Sequence, residues 1–115
     1  MGFFIFPQAW IAPAITAAAL SFGPVHNDQG EEVSPIHIKY RDLPAGSAGS
    51  IRRPDKILID KRPKREWPKE KAQCVIVHEY GHLAGRKHSK NKRSIMYPVL
   101  RYRVCHRWLV RHGIE

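Results

Sequence analysis

His78-Glu79-Tyr80-Gly81-His82-Leu83-Ala84-Gly85-Arg86-Lys87-His88 decides how this 115-residue chain is read. On a helix, His78 and His82 stand one turn apart and project from one face, so both imidazoles can reach a single metal ion. Glu79 is rotated to the edge of that face, where it addresses a metal-bound water rather than the metal. Gly85 turns left-handed at little cost, which reverses the chain and brings His88 back to a third ligand position. Three neutral nitrogen ligands leave a fourth position for water, the arrangement of a catalytic zinc rather than a closed structural one. The alternative, three ordinary surface or core histidines, would need the glycine and the third histidine to fall at these offsets by coincidence.

Outward from this stretch, Pro68 is suited to open the helix, which is expected to run to about Ala84 with Gly85 just past its end. Arg86 to Ser94 is a polar loop, Ile95-Met96-Tyr97-Pro98 a tight apolar turn, and Leu100 to His112 a last helix with Val104, Trp108 and Leu109 on one side. Upstream, Lys61 to Trp67 is a basic connector and Lys56 to Asp60 (KILID) a strand. Ser34 to Tyr40 alternates, with Ile36, Ile38 and Tyr40 on one side, and is expected to be a half-buried strand. Leu43 to Ser50 is small and glycine-rich, either a loop or a thin edge strand, and Val25 to Pro35 reads as a polar loop.

The first 25 residues admit two readings. Phe3 to Val25 is apolar enough for a signal peptide, with Ala17-Ala18-Ala19 as a small-residue cleavage site, but it lacks the basic start such a peptide carries. A folded element is favoured. Gly2 to Phe6 would form a strand, and Pro7 to Phe22 a helix whose apolar face is Ile11, Ile15, Ala18 and Phe22. Pro13 lies too deep for a first turn, so a bend or a later helix start is expected. The order of elements predicts one domain over 1–115, α/β or α+β, with a small mixed sheet.

The eleven residues from His78 to His88 resemble the zinc signature of the metzincin metalloendopeptidases. Ser94-Ile95-Met96-Tyr97-Pro98 resembles the Met-turn that follows it, with Met96 beneath the metal. Ser89 directly after His88, and Tyr97-Pro98 directly after Met96, are similar to the matrixin branch. The resemblance implies an α+β, zincin-like fold: a small twisted mixed sheet, an N-terminal backing helix at Gln8 to Phe22, the zinc helix, the Met-turn and a C-terminal helix. It also implies an edge strand antiparallel to bound substrate, for which Ala45 to Ile51 is the counterpart. Ala48, Gly49 and Tyr97 are then substrate-binding candidates.

The implied activity is peptide-bond hydrolysis, with one catalytic zinc on His78, His82 and His88, Glu79 as general base, and a peptide or protein as substrate. The chain departs from the family in its short length and in showing no histidine–aspartate cluster for a second zinc and no acidic calcium loop. A structural or binding protein that keeps the zinc fold with little or no hydrolysis is the rival, for instance a component of a phage particle or one that binds cell wall or nucleic acid.

Charge and cysteines bound the rest. All 20 Lys and Arg lie from Lys39 onward, and Arg86 to Arg111 contains no Asp or Glu. Such a face favours a polyanion, a cell-wall polymer or nucleic acid, or simply solubility. Aromatics do not alternate with the basic residues as a nucleic-acid stacking surface requires. Cys74 and Cys105 form no CxxC pair, which argues against a cysteine zinc site and leaves one disulfide or two buried thiols. Prolines and Gln8 interrupt the apolar N-terminus, so no transmembrane span is expected.

Overall fold

The computed structural model describes residues 8–60 and 69–114, with side chains described from Ile11 and from Glu70 in the two segments. Three helices and five strands follow one another as α1 (Gln8–Phe22), β1 (Val25–His26), β2 (Glu32–Val33), β3 (His37–Arg41), β4 (Gly49–Arg52), β5 (Lys56–Asp60), α2 (Lys69–Leu83) and α3 (Tyr102–Arg111). The strand expected at Gly2 to Phe6, the connector Lys61 to Trp67 and Pro68 lie outside the described residues.

The architecture is α+β. The main sheet has the order β3-β5-β4, with β5 parallel to β3 and antiparallel to β4. It is therefore mixed, and β4 stands at an edge. β5 sits in the middle because it is apolar on both faces: Ile57, Leu58 and Ile59 are all buried. β3 is half-buried, alternating with Ile38 and Tyr40 turned toward the core. Helix α2 packs against this sheet, and α1 and α3 pack against α2.

The chain resolves the loop-or-strand alternative at 43–50 as both. Residues 43–48 are irregular, turning at Gly46 with φ +87°, and the edge strand begins at Gly49. Val25 to Pro35, expected to be a polar loop, contains the two-stranded hairpin β1–β2. Its turn is built by Asn27, whose Oδ1 accepts from the N–H groups of Gln29 (3.0 Å) and Glu31 (2.9 Å). This side-chain mimic of a backbone turn, with Val25 buried and Val33 packed on the core, makes the short pairing worthwhile.

Helix α1 runs through Pro13 rather than starting after it. Pro13 is on the exposed face, where water can hydrate the carbonyl that proline leaves without a donor. The opposite face buries Ile11, Ala14, Ala17 and Ala18. Cys74 on α2 and Cys105 on α3 are joined as a disulfide with Cα atoms 5.7 Å apart, which settles the cysteine alternative. Among the described residues no helix is long and apolar enough to cross a membrane.

Candidate metal centre and groove

His78 and His82 sit on α2 one turn apart, and His88 returns to them from the loop beyond it. Their ring centroids are 4.7 to 5.3 Å from one another, and one ligand nitrogen from each lies within 4.8 Å of the other two, so the group can hold a metal ion. The hydrogen bonds fix which nitrogen is offered. His78 Nδ1 lies 2.8 Å from the carbonyl oxygen of Ile95, and His82 Nδ1 lies 2.9 Å from that of Arg86. A carbonyl only accepts, so each Nδ1 carries the proton and each neutral ring presents a bare Nε2.

Those two Nε2 atoms stand 3.2 Å apart. Two lone pairs facing each other at that distance repel unless a cation lies between them. Two nitrogens bound tetrahedrally to zinc at 2.0–2.1 Å would be separated by about 3.3–3.4 Å. The donor set and its spacing therefore fit zinc. Burial lowers the pKa of the His78 imidazole; the Ile95 carbonyl pulls it upward, and His82 and His88 lower it further. The balance favours the neutral ring that a metal requires.

Local structure explains how the third histidine returns. Past α2 the Arg86 N–H donates to the Gly81 carbonyl (2.8 Å) and the Gly85 N–H to the His82 carbonyl (3.0 Å), with Gly85 at φ +93°. This is the left-handed helix stop expected at Gly85. It also places the Arg86 carbonyl against His82. The segment Ser94 to Tyr97 is a tight turn: Ser94 Oγ accepts from the Met96 N–H (3.0 Å), and the Tyr97 N–H donates to the Ser94 carbonyl (3.1 Å). The Ser89 N–H donates to the Met96 carbonyl (3.0 Å), which ties the turn to the neighbour of His88. Met96 is buried with its sulfur against Gly81.

Glu79 faces a groove of about 550 Å³. One wall is the segment Gly46 to Ile51, the other Pro98, Val99 and Leu100, and His78, His82, His88 and Glu79 line it between them. Gly49 is pressed against α2: a β-carbon there would lie 3.0 Å from Glu79 Cγ and 3.2 Å from Oε2. Burial pushes the Glu79 carboxyl up to about 7. Of the substrate-binding candidates, Ala48 and Gly49 line the groove. Tyr97 does not; it is half-buried in the turn, and the residues just after it form the wall. A larger cleft of about 790 Å³ between α1 and β3 includes none of the three histidines.

His26, His37, His106 and His112 are exposed and stand apart from the cluster. The carbonyls of Ile95 and Arg86, which orient two of the rings, carry no sequence signal, since any residue has a carbonyl.

Comparison with known proteins bears on the part of the chain that carries α2 and α3. Residues 66–110 match the matrixin family model of peptidases. Macrophage metalloelastase of Rattus norvegicus is 61% identical over 28 residues, which are 24% of this chain and 6% of that protein. The chain thus matches only a small part of its relative's length. No solved structure matches. The segment 66–110 is matrixin-like, and its three-histidine group fits a zinc metalloprotease at the level of the family.

Proposed function

We propose that this matrixin-like chain is a zinc-dependent endopeptidase in which His78, His82 and His88 hold one metal ion and Glu79 is the general base. The pair of bare Nε2 atoms on His78 and His82, 3.2 Å apart, with Glu79 in the adjoining groove, carries the reading. When bound there, zinc supplies Lewis acidity for a carbonyl and a lowered pKa for water.

The chain's own residues would do the rest. An extended peptide would add to the edge of β4 that no other strand pairs among the described residues, along Ala48 to Ile51, by backbone hydrogen bonds. Gly49 lets that strand approach closely enough to bring the peptide beside Glu79. Glu79 Oε2 would take a proton from water and pass it to the leaving amine. Its apolar surroundings suit a carboxyl that must hold a proton and release it within one cycle. Met96 packs under the helix and Tyr97 belongs to the turn, so neither would touch the reacting atoms.

The deciding experiment incubates the zinc-loaded protein and its Glu79→Gln variant with unstructured proteins and maps cuts by mass spectrometry. Cleavage by the wild type alone, with equal zinc in both, supports the proposal. Equal cleavage by both removes Glu79 from the chemistry. Zinc without cleavage in either favours the rival, a zinc-fold binding protein.

Exposed Arg103, Arg107 and Arg111 on α3 motivate a second proposal, an anionic-polymer partner. It requires heparin affinity that falls steeply with salt. Absent or salt-insensitive retention rejects it.

A further inference from the structure

The last carbonyls of α2 are satisfied from two directions. Backbone N–H groups of Gly85 and Arg86 reach the His82 and Gly81 carbonyls, and this turn offers no donor to the Leu83 carbonyl. The donor comes from elsewhere in the fold. Arg53, on the turn between β4 and β5, places Nη1 3.3 Å from the Leu83 oxygen and Nη2 3.0 Å from the His82 oxygen. Both nitrogens donate, so one planar guanidinium spans two successive carbonyls, a geometry a single ammonium cannot copy. Its positive charge also lies at the negative end of the helix dipole.

His82 is thereby fixed twice. Its imidazole Nδ1 is held by the Arg86 carbonyl, and its own carbonyl is held by Arg53. The same turn sets the path from His82 to His88. Arg53 also directly follows β4, whose first residue, Gly49, abuts Glu79.

We propose that Arg53 is a positioning residue for the three-histidine metal centre, clamping the turn that spaces His82 from His88 and tying it to the groove strand β4. The proposal rests on those histidines binding a metal. It adds a residue with no place in the eleven-residue signature, 29 positions before His82.

The test uses the intact chain as wild type, Arg53→Lys and Arg53→Ala. Zinc affinity is measured by chelator competition, ligand geometry by the absorption of the cobalt-loaded protein, and fold by melting of the metal-free forms. Outer partners of metal ligands are typically worth about 10–100-fold in affinity, so Arg53→Ala should bind zinc at least about tenfold more weakly and shift the cobalt bands. Arg53→Lys should fall between, because its ammonium reaches one carbonyl.

An Arg53→Ala protein with a lower melting temperature, but with zinc affinity within about twofold of wild type and unshifted cobalt bands, overturns the proposal and leaves Arg53 a stabiliser of the turn. Should Arg53→Ala not fold, Arg53→Lys and Arg53→Gln are judged by the same two readouts. A wild type that takes up neither zinc nor cobalt overturns the metal centre and this proposal together, whereas full uptake with no effect of Arg53 overturns only this one.

Discussion

The sulfur of Met96 lies 2.5 Å from the point where a β-carbon on Gly81 would stand, and its methyl carbon lies 3.0 Å from that point. Helix α2 is notched at Gly81, one residue before His82, and the side chain delivered by the turn after His88 fills the notch. The methionine and the glycine therefore form one packing unit, although they are far apart in the chain.

Gly81→Ala tests that unit. In an open helix the change would stabilise by about 1 kcal/mol. Here the added methyl meets Met96 Sδ, and overpacking of a filled site costs about 1–3 kcal/mol. The expected result is a lower melting temperature and weaker zinc retention, relieved when Met96→Ala is added. A more stable Gly81→Ala protein would show that the notch is slack.

Gly49→Ala separates the groove from the metal. The new methyl would stand 2.5 Å from Val75 Cγ1 and 3.2 Å from Glu79 Oε2, so β4 must move off α2 or both Val75 and Glu79 must turn. Zinc content should stay at that of wild type while peptide cleavage falls at least about tenfold, a loss of about 1.4 kcal/mol in transition-state stabilisation. Unchanged cleavage at full zinc would detach Gly49 from the substrate site.

Removing the Cys74–Cys105 bond should be felt mainly in stability. The bridge spans a separation of 31 residues and links α2 to α3. Closing a loop of that length is worth about 3–4 kcal/mol in the chain-entropy picture. Denaturant unfolding with and without reductant should show a drop of about that size. Coincident curves would mean that the bond does little for the fold.

A chain starting at Gly23 removes α1. Ile11, Ala14 and Ala18 are buried in the core, and α1 packs against α2. Exposing a large apolar side chain costs about 1.5–3 kcal/mol, and α2 would lose its cover as well. A small domain has about 5–15 kcal/mol to lose. The shortened protein should lack a cooperative melt and bind zinc weakly. A sharp melt with one equivalent of zinc would show that α1 is dispensable, as a signal peptide would be.

The sequence by itself determined the elements whose causes are local. The three-histidine group is legible because a helical period brings His78 and His82 to one face and Gly85 permits the left-handed turn toward His88. Lys56 to Asp60 is legible as a strand because a short apolar run of β-branched residues and leucine suits the middle of a sheet. The Ser94 to Tyr97 turn closes through hydrogen bonds within its own four residues. The hairpin at Val25 to Val33 is not legible in the sequence, because its few polar residues resemble any loop and its turn depends on Asn27 accepting two backbone N–H groups.

Only the tertiary structure decided what depends on how the sheet lies on α2. The sequence left the cysteines open between a bond and two thiols; the crossing of α2 and α3 brings their Cα atoms to 5.7 Å. Gly49 against Glu79, Arg53 on the His82 carbonyl, and the Ile95 carbonyl on His78 join residues 17 or more positions apart. The groove wall after the turn is made by Pro98, Val99 and Leu100 rather than by Tyr97. Such contacts follow from packing between elements, and no spacing within one element encodes them.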